Sequence, residues 1–159
     1  MSSDAGRMAP GGHSRDEVAG EAWEALFRFM VEGEGQRRFR EACDHSGLAA
    51  GALKTLLQLE AGKPQPMREL AVAFHCDPSW VTSLVDSLEE AGLAERRPSA
   101  SDRRVKEIVL TDRGTAAQGD LWKFLGEVPQ SFSTLTMPEL LQLRDVLRKL
   151  PGTSSPRDR

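Results

Sequence analysis

The sequence contains no tyrosine, which excludes any ligand site read through tyrosine hydroxyls. It has 2 cysteines, Cys43 and Cys76, too few for the disulfide framework of a small secreted domain and suited, as free thiols, to a reducing compartment. No run approaches the ~18 apolar residues that a membrane span needs, and the N-terminus lacks a charged region followed by an apolar block. The expectation is a cytoplasmic protein. Positive charge is also in short supply: 21 Lys and Arg stand against 24 Asp and Glu, a formal net charge of -3 with a pI near 5.7. That excludes a surface coated in cations, so any contact with nucleic acid must be a local patch. His13, His45 and His75 are scattered, and no Cys/His/acid spacing resembles a metal site. No catalytic triad motif appears, and a Cys43/His45 or Cys76/His75 pair rests on adjacency in sequence, which does not position a base on a nucleophile. No enzymatic activity, cofactor or metal is expected. Internal repeats and low-complexity tracts are missing too.

What is present is a run of well-punctuated helices. With 159 residues, 39% hydrophobic and 28% charged, the chain is long enough to bury a core of its own. Residues 1–13 and 151–159 are rich in Gly, Ser and Pro without periodicity, and are expected to be flexible ends. From Ser14, a candidate N-cap, Val18, Ala22, Ala25, Leu26, Phe29 and Met30 recur at helical spacing. Gly33 and Gly35 weaken that helix, and a second segment runs to Gly47, leaving open whether there are two helices or one that is kinked. "LAAGALKTLLQLEAGKP" predicts a further helix closed by Gly62 and Pro64.

Met67, Leu70, Ala71 and Phe74 lie at i, i+3, i+4, i+7, one buried face of a short helix. "CDPS" then offers Asp77 as N-cap with Pro78 at the first helical position. Val81, Leu84, Val85, Leu88 and Ala91 form the stripe of the next helix, and Gly92 is placed to end it. Two short strands, 93–97 and 104–110, flank the turn material "PSASD" and predict a β-hairpin. Thr111 can cap a helix with Ala117, Leu121, Phe124, Leu125 and Val128 on its stripe, which Pro129 interrupts. A Thr136/Glu139 capping box opens a last helix carrying Leu140, Leu143, Leu147 and Leu150.

Helix, turn, helix and hairpin in that order form the winged helix arrangement, in which the second helix enters the major groove and the hairpin reaches along the duplex. The face of the second helix opposite its apolar stripe carries Ser79, Ser83, Asp86 and Glu90, with Trp80 and Thr82 on the flanks. Its first turns offer hydroxyls and free backbone N–H groups to phosphates and base edges. Its acids, Asp86, Glu89 and Glu90, come later, away from DNA met N-terminus first. Residues 96–106 hold five cations, Arg96, Arg97, Arg103, Arg104 and Lys106, with one acid, Asp102. On a hairpin these can neutralise phosphates, and arginine suits a narrow minor groove. Asp102 is expected to hold the tip in shape by pairing with an Arg or capping turn N–H groups. Alone, such a charge run would read as a solvated face; its position after the second helix reverses that. Trp80 alone would more often be core.

Residues 68–114, "RELAVAFHCDPSWVTSLVDSLEEAGLAERRPSASDRRVKEIVLTDRG", closely resemble the DNA-binding core of MarR-family (multiple antibiotic resistance regulator) transcription factors. Leu70-Ala71, "PSWVTSLVDSLEEAGL", "DRR" and "LTDRG" occur at that family's spacings, and the linked run is specific where each motif alone is weak. The resemblance implies a mainly α fold with a small β-hairpin wing, a winged helix-turn-helix with N- and C-terminal dimerisation helices. It divides the chain into residues 14–47 for dimerisation, 48–114 for DNA binding and 115–150 for the C-terminal dimerisation helices. It implies a homodimer on a pseudopalindromic double-stranded operator with half-sites about one DNA turn apart.

The resemblance places recognition on Ser79, Trp80, Thr82 and Ser83, the structured wing acid on Asp102 and the minor-groove arginine on Arg104. Ser83 departs from the family pattern, where many relatives carry Arg, and this implies a different operator preference. Family members are most often repressors, released by a small aromatic or phenolic effector bound between the dimer helices and the winged domain. Trp23, Phe27, Phe39 and Arg40 are candidates to line such a site. Some relatives use a thiol redox switch, but neither Cys43 nor Cys76 is flanked by a thiolate-stabilising cluster, and small buried apolar residues is the better reading for both. Independently of resemblance, Val18–Met30, Leu121–Val128 and Leu140–Leu150 offer more apolar helix surface than one small winged domain covers. The alternative function is a winged-helix protein-interaction module without specific DNA binding.

Overall fold

A computed structural model of the chain describes residues 13–151. The expected flexible ends, but for residues 13 and 151, lie outside the described residues. Two compact bodies follow one another along the chain, one through Glu127 and one from Val128.

The first body opens with α1 (Arg15–Val31) and α2 (Glu34–Ser46). Ser14 Oγ accepts from the Glu17 N–H at 3.2 Å while the Glu17 carboxylate accepts from the Ser14 N–H at 2.7 Å, the reciprocal box that satisfies two orphan donors. The question of one helix or two is settled by the break at Glu32–Gly33. α3 (Ala50–Gln58) ends earlier than Gly62 and Pro64 predict. Gln118, from the last helix of this body, donates from Nε2 to the carbonyls of Leu56 and Leu59, each at 2.6 Å. The helix end is thereby capped from a residue about sixty positions away, and Leu59 turns into the core at 3% exposure.

α4 (Met67–Phe74) and α5 (Pro78–Glu90) form the helix-turn-helix. Leu70 and Ala71 of α4, and Val81, Leu84, Val85 and Leu88 of α5, are buried as their spacing requires. His75 closes α4 in the left-handed conformation at φ 49°, and Gly92 at φ 68° follows α5. The hairpin is present as β2 (Ala94–Pro98) and β3 (Lys106–Leu110). The sheet has a third member that periodicity did not reveal, β1 (Gln65–Pro66). It pairs antiparallel with β3, Gln65 opposite Ile108, so the order is β1-β3-β2 with β3 central. Two residues ending in proline carry no alternation to read, and only the partner strand makes them a strand.

α6 (Asp112–Leu125) starts at Thr111, whose Oγ1 accepts from the Gly114 N–H at 2.9 Å. A Cβ at Gly114 would stand 1.8 Å from the Leu93 carbonyl oxygen. That approach of helix to backbone is the physical reason for glycine in "LTDRG". Leu53, Leu56, Val81, Val85, Leu88 and Ile108 are fully buried between α3, α5 and the sheet, and Leu121 brings α6 onto the same core. Val128 does not extend the α6 stripe as expected: it lies past the helix end and is 75% exposed.

In the second body a short 3-10 turn, Gln130–Thr134, precedes α7 (Met137–Leu147). The expected capping box is formed, with the Glu139 carboxylate accepting from the Thr136 N–H at 2.7 Å. α7 has no buried residue; Leu140, Leu143 and Leu147 are half-buried, and Leu150 is exposed.

Candidate nucleic-acid interface

Asp77 sets the start of α5. Its Oδ1 accepts from the Ser79 N–H at 2.7 Å, and its carbonyl accepts from the N–H groups of Trp80 and Val81 at 3.0 and 3.4 Å. The Ser79 hydroxyl and backbone N–H both bond the Asp77 carboxyl and hold it below the usual carboxylate range. The expectation of free N–H groups at this terminus is therefore corrected: the cap occupies them. Ser79, Trp80, Thr82, Ser83, Asp86 and Glu90 are all exposed on one side of the helix. Thr82 Oγ1 donates to the Pro78 carbonyl at 3.1 Å and Ser83 Oγ to the Ser79 carbonyl at 3.4 Å. Trp80 is 49% exposed, so it is not a core residue. Its covered side leans on α3, where a Cβ at Gly51 would lie 3.4 Å from Trp80 Cζ2.

The five wing cations divide into two groups. Arg96 Nη2 lies 2.6 Å from Asp86 Oδ1 and donates to the Thr82 carbonyl at 3.0 Å; Nη1 pairs with Glu89 Oε2, and the Arg96 N–H donates to Glu89 Oε1 at 2.7 Å. Its side chain is only 23% exposed. Arg96 thus ties the base of the wing to α5 by pairing with Asp86 and Glu89, two of the three acids late in that helix and partners that spacing alone did not single out. Arg97 is exposed and pairs with Glu95 on its own strand. Arg103, Arg104 and Lys106 are exposed and have no ion-pair partner among the described residues. These three are the cations the hairpin can offer to phosphates.

The wing tip is held by its own backbone. Asp102 Oδ1 accepts from the Arg104 N–H and the Asp102 carbonyl from the Val105 N–H, both at 2.9 Å. Asp102 caps the turn, one of the two roles expected of it. Ser99, 5% exposed, donates its N–H to the Val105 carbonyl at 2.9 Å and shares a 3.0 Å hydroxyl contact with Ser101. A tip ordered in advance loses less entropy on contact.

An open groove of about 860 Å³ runs between α4, the first turns of α5 and the wing base, lined by Met67, Arg68, Val72, Cys76, Thr82 and Arg96 among others. The aromatic residues considered for an effector site lie elsewhere. Trp23 and Phe27 are exposed on α1 with ring centroids 6.1 Å apart. Phe39 packs on the core under Lys54, whose Nζ is 5.7 Å from the ring centroid, and Arg40 is exposed. Cys43 and Cys76 are free thiols packed partly against the core. Burial, with Asp44 adding to it, pushes the Cys43 thiol up, away from thiolate. Among the described residues no group of His, Cys, Asp and Glu could hold a metal ion, and no helix is long and apolar enough to cross a membrane.

Residues 48–106 match the model of the MarR family. The HTH-type transcriptional repressor MdtR of Bacillus subtilis (strain 168) is 28% identical over 116 residues, 72% of this chain and 75% of that one. The transcriptional repressor MprA of Escherichia coli (strain K12) is 36% identical over 107 residues, 62% of this chain; the chain spans only 56% of that relative's length. The crystal structure of YusO from Bacillus subtilis superposes with a TM-score of 0.65 at 26% identity, covering 89% of this chain and 100% of that one. Helix-turn-helix, capped second helix and arginine wing agree with sequence and fold likeness alike: residues 48–106 match the MarR family, and the chain is similar to HTH-type transcriptional repressors in sequence and to YusO in fold.

Proposed function

We propose that the protein is a homodimeric, sequence-specific DNA-binding repressor whose affinity for a pseudopalindromic operator is retuned by a small aromatic acid. The observation that carries this reading is the placing of Arg103, Arg104 and Lys106, free of ion-pair partners among the described residues, on a wing clamped by Arg96 to a helix exposing Ser79, Trp80, Thr82 and Ser83. α5 enters the major groove; the wing reaches the flanking minor groove, Arg104 foremost, while Asp102 keeps the tip in register. Arg96 acts as a brace and Arg97 is partly neutralised by Glu95.

Residues 14–47 and 115–150 supply the dimer contacts and 48–114 the DNA contacts. α1 has no buried residue and exposes Trp23, Phe27 and Met30, while α7 exposes Leu141 and Val146, surfaces that a second copy would cover. Repression follows the named activity of MdtR and MprA. The groove beside Arg68 and Lys106 has an apolar lining with cations at its edge, which suits an aromatic carboxylate.

A gel shift on the DNA upstream of the protein's own coding region tests the proposal, run at low salt and with about 300 mM added salt to strip non-specific binding. A shift that survives on upstream DNA and vanishes on scrambled DNA is the expected result. Equal loss on both would leave the winged fold as a protein-interaction module.

A further inference from the structure

We infer that Trp80 is the base-reading residue of α5 and that what it reads is thymine, so each half-site has an A·T pair under Trp80, Thr82 and Ser83. This rests on the DNA reading proposed above.

The inference starts from which donors the recognition surface has left. A guanine shows two acceptors, N7 and O6, in the major groove, and reading it needs donors, ordinarily from a cationic side chain. The exposed face from Pro78 to Ser83 carries no cation, and the indole N–H of Trp80 is one donor against guanine's two acceptors. The hydroxyl hydrogens of Thr82 and Ser83 are engaged within the helix, Thr82 with the Pro78 carbonyl and Ser83 with the Ser79 carbonyl. The oxygens keep lone pairs, so Thr82 and Ser83 accept, and the base groups that donate in the major groove are adenine N6 and cytosine N4.

Trp80 decides between those two. It is a large ring, half exposed at 49%, on an otherwise polar surface, where burial against an apolar group is the gain still available to it. The apolar group that base pairs present in the major groove is the thymine C5-methyl. One edge of the ring lies over Gly51 of α3, where a Cβ would be in van der Waals contact with Trp80 Cζ2 at 3.4 Å and would clash with Leu84. An aromatic with two torsions, already seated, loses little freedom on binding. A thymine methyl against the indole and its paired adenine N6 under the Thr82 and Ser83 oxygens fit one A·T pair.

The test selects sites for the full-length protein from random duplexes, then replaces each selected thymine in turn by deoxyuridine, which removes the methyl and keeps O4. One or two thymines per half-site are expected to lose about fourfold in affinity each, the fold-change of burying one methylene-sized group. Trp80→Ala should bind thymine and deoxyuridine sites equally, and Trp80→Phe should keep most of the discrimination. Wild-type indifference to every deoxyuridine, or undiminished discrimination by Trp80→Ala, overturns the inference; the first of these needs no variant to fold. A wild type that selects no sequence at all sinks the DNA reading itself and this inference with it.

Discussion

Arg104 and Arg96 sit on the same hairpin with the same charge, and their surroundings separate their roles. Arg104 is exposed with only its backbone N–H engaged, by Asp102, so its guanidinium is available to a phosphate or a narrow minor groove. Replacing it with alanine should weaken operator binding and reduce the slope of log affinity against log salt by about 1. Titrations over several salt concentrations read both quantities, and an unchanged slope would remove Arg104 from the interface. Asp77 makes a second residue-scale case. Bonds from the Ser79 hydroxyl and N–H hold its folded carboxyl below the usual range, so the stability it contributes is complete above that range and is lost as pH falls through the folded value. Asp77→Asn keeps an acceptor and removes the ionisation. Its melting temperature should therefore fall less steeply than the wild type's from about pH 5 to pH 3, and parallel curves would deny the carboxylate this role.

At the scale of elements, the brace between wing and α5 matters more than either part alone. Arg96 reaches Asp86, Glu89 and the Thr82 carbonyl from the middle of β2, so one side chain joins the second helix to the hairpin beside their shared apolar core. A double-mutant cycle of Arg96→Ala and Glu89→Ala, followed by denaturant unfolding, should give a coupling of about 0.5–1 kcal/mol, the upper range for partly exposed pairs. Additive effects would mean that the contacts hold nothing in place. The same scale shows where sequence reading was sound and where it failed. Helix starts were legible because caps are local: Ser14, Asp77, Thr111 and Thr136 each bond within three residues. The end of α3 and the strand β1 were not, because Gln118 and Ile108 supply their partners from distant parts of the chain.

For the whole molecule, α1 carries the open question. Trp23, Phe27 and Met30 are 65%, 47% and 56% exposed, a continuous apolar face that a second subunit would bury. Sedimentation of the wild type should give twice the subunit mass. The Trp23→Glu/Phe27→Glu pair should sediment as one subunit, retain its helical circular dichroism and bind the operator at least about 100-fold more weakly, as half-sites are no longer linked. A wild type of single-subunit mass would overturn the dimer.

The linear chain by itself determined the helix order, the cap residues, the apolar stripes and the cluster of five wing cations, since each depends on neighbours within a turn or two. Only the tertiary structure decided which of those cations remain available, because ion pairing joins residues that spacing leaves apart. Arg96 looks no different from Arg104 until the hairpin folds back along α5 and brings Asp86 and Glu89 within reach of it. Trp80, by residue type alone more often core, stands on the flank of the polar face in the sequence, and the structure leaves it 49% exposed there.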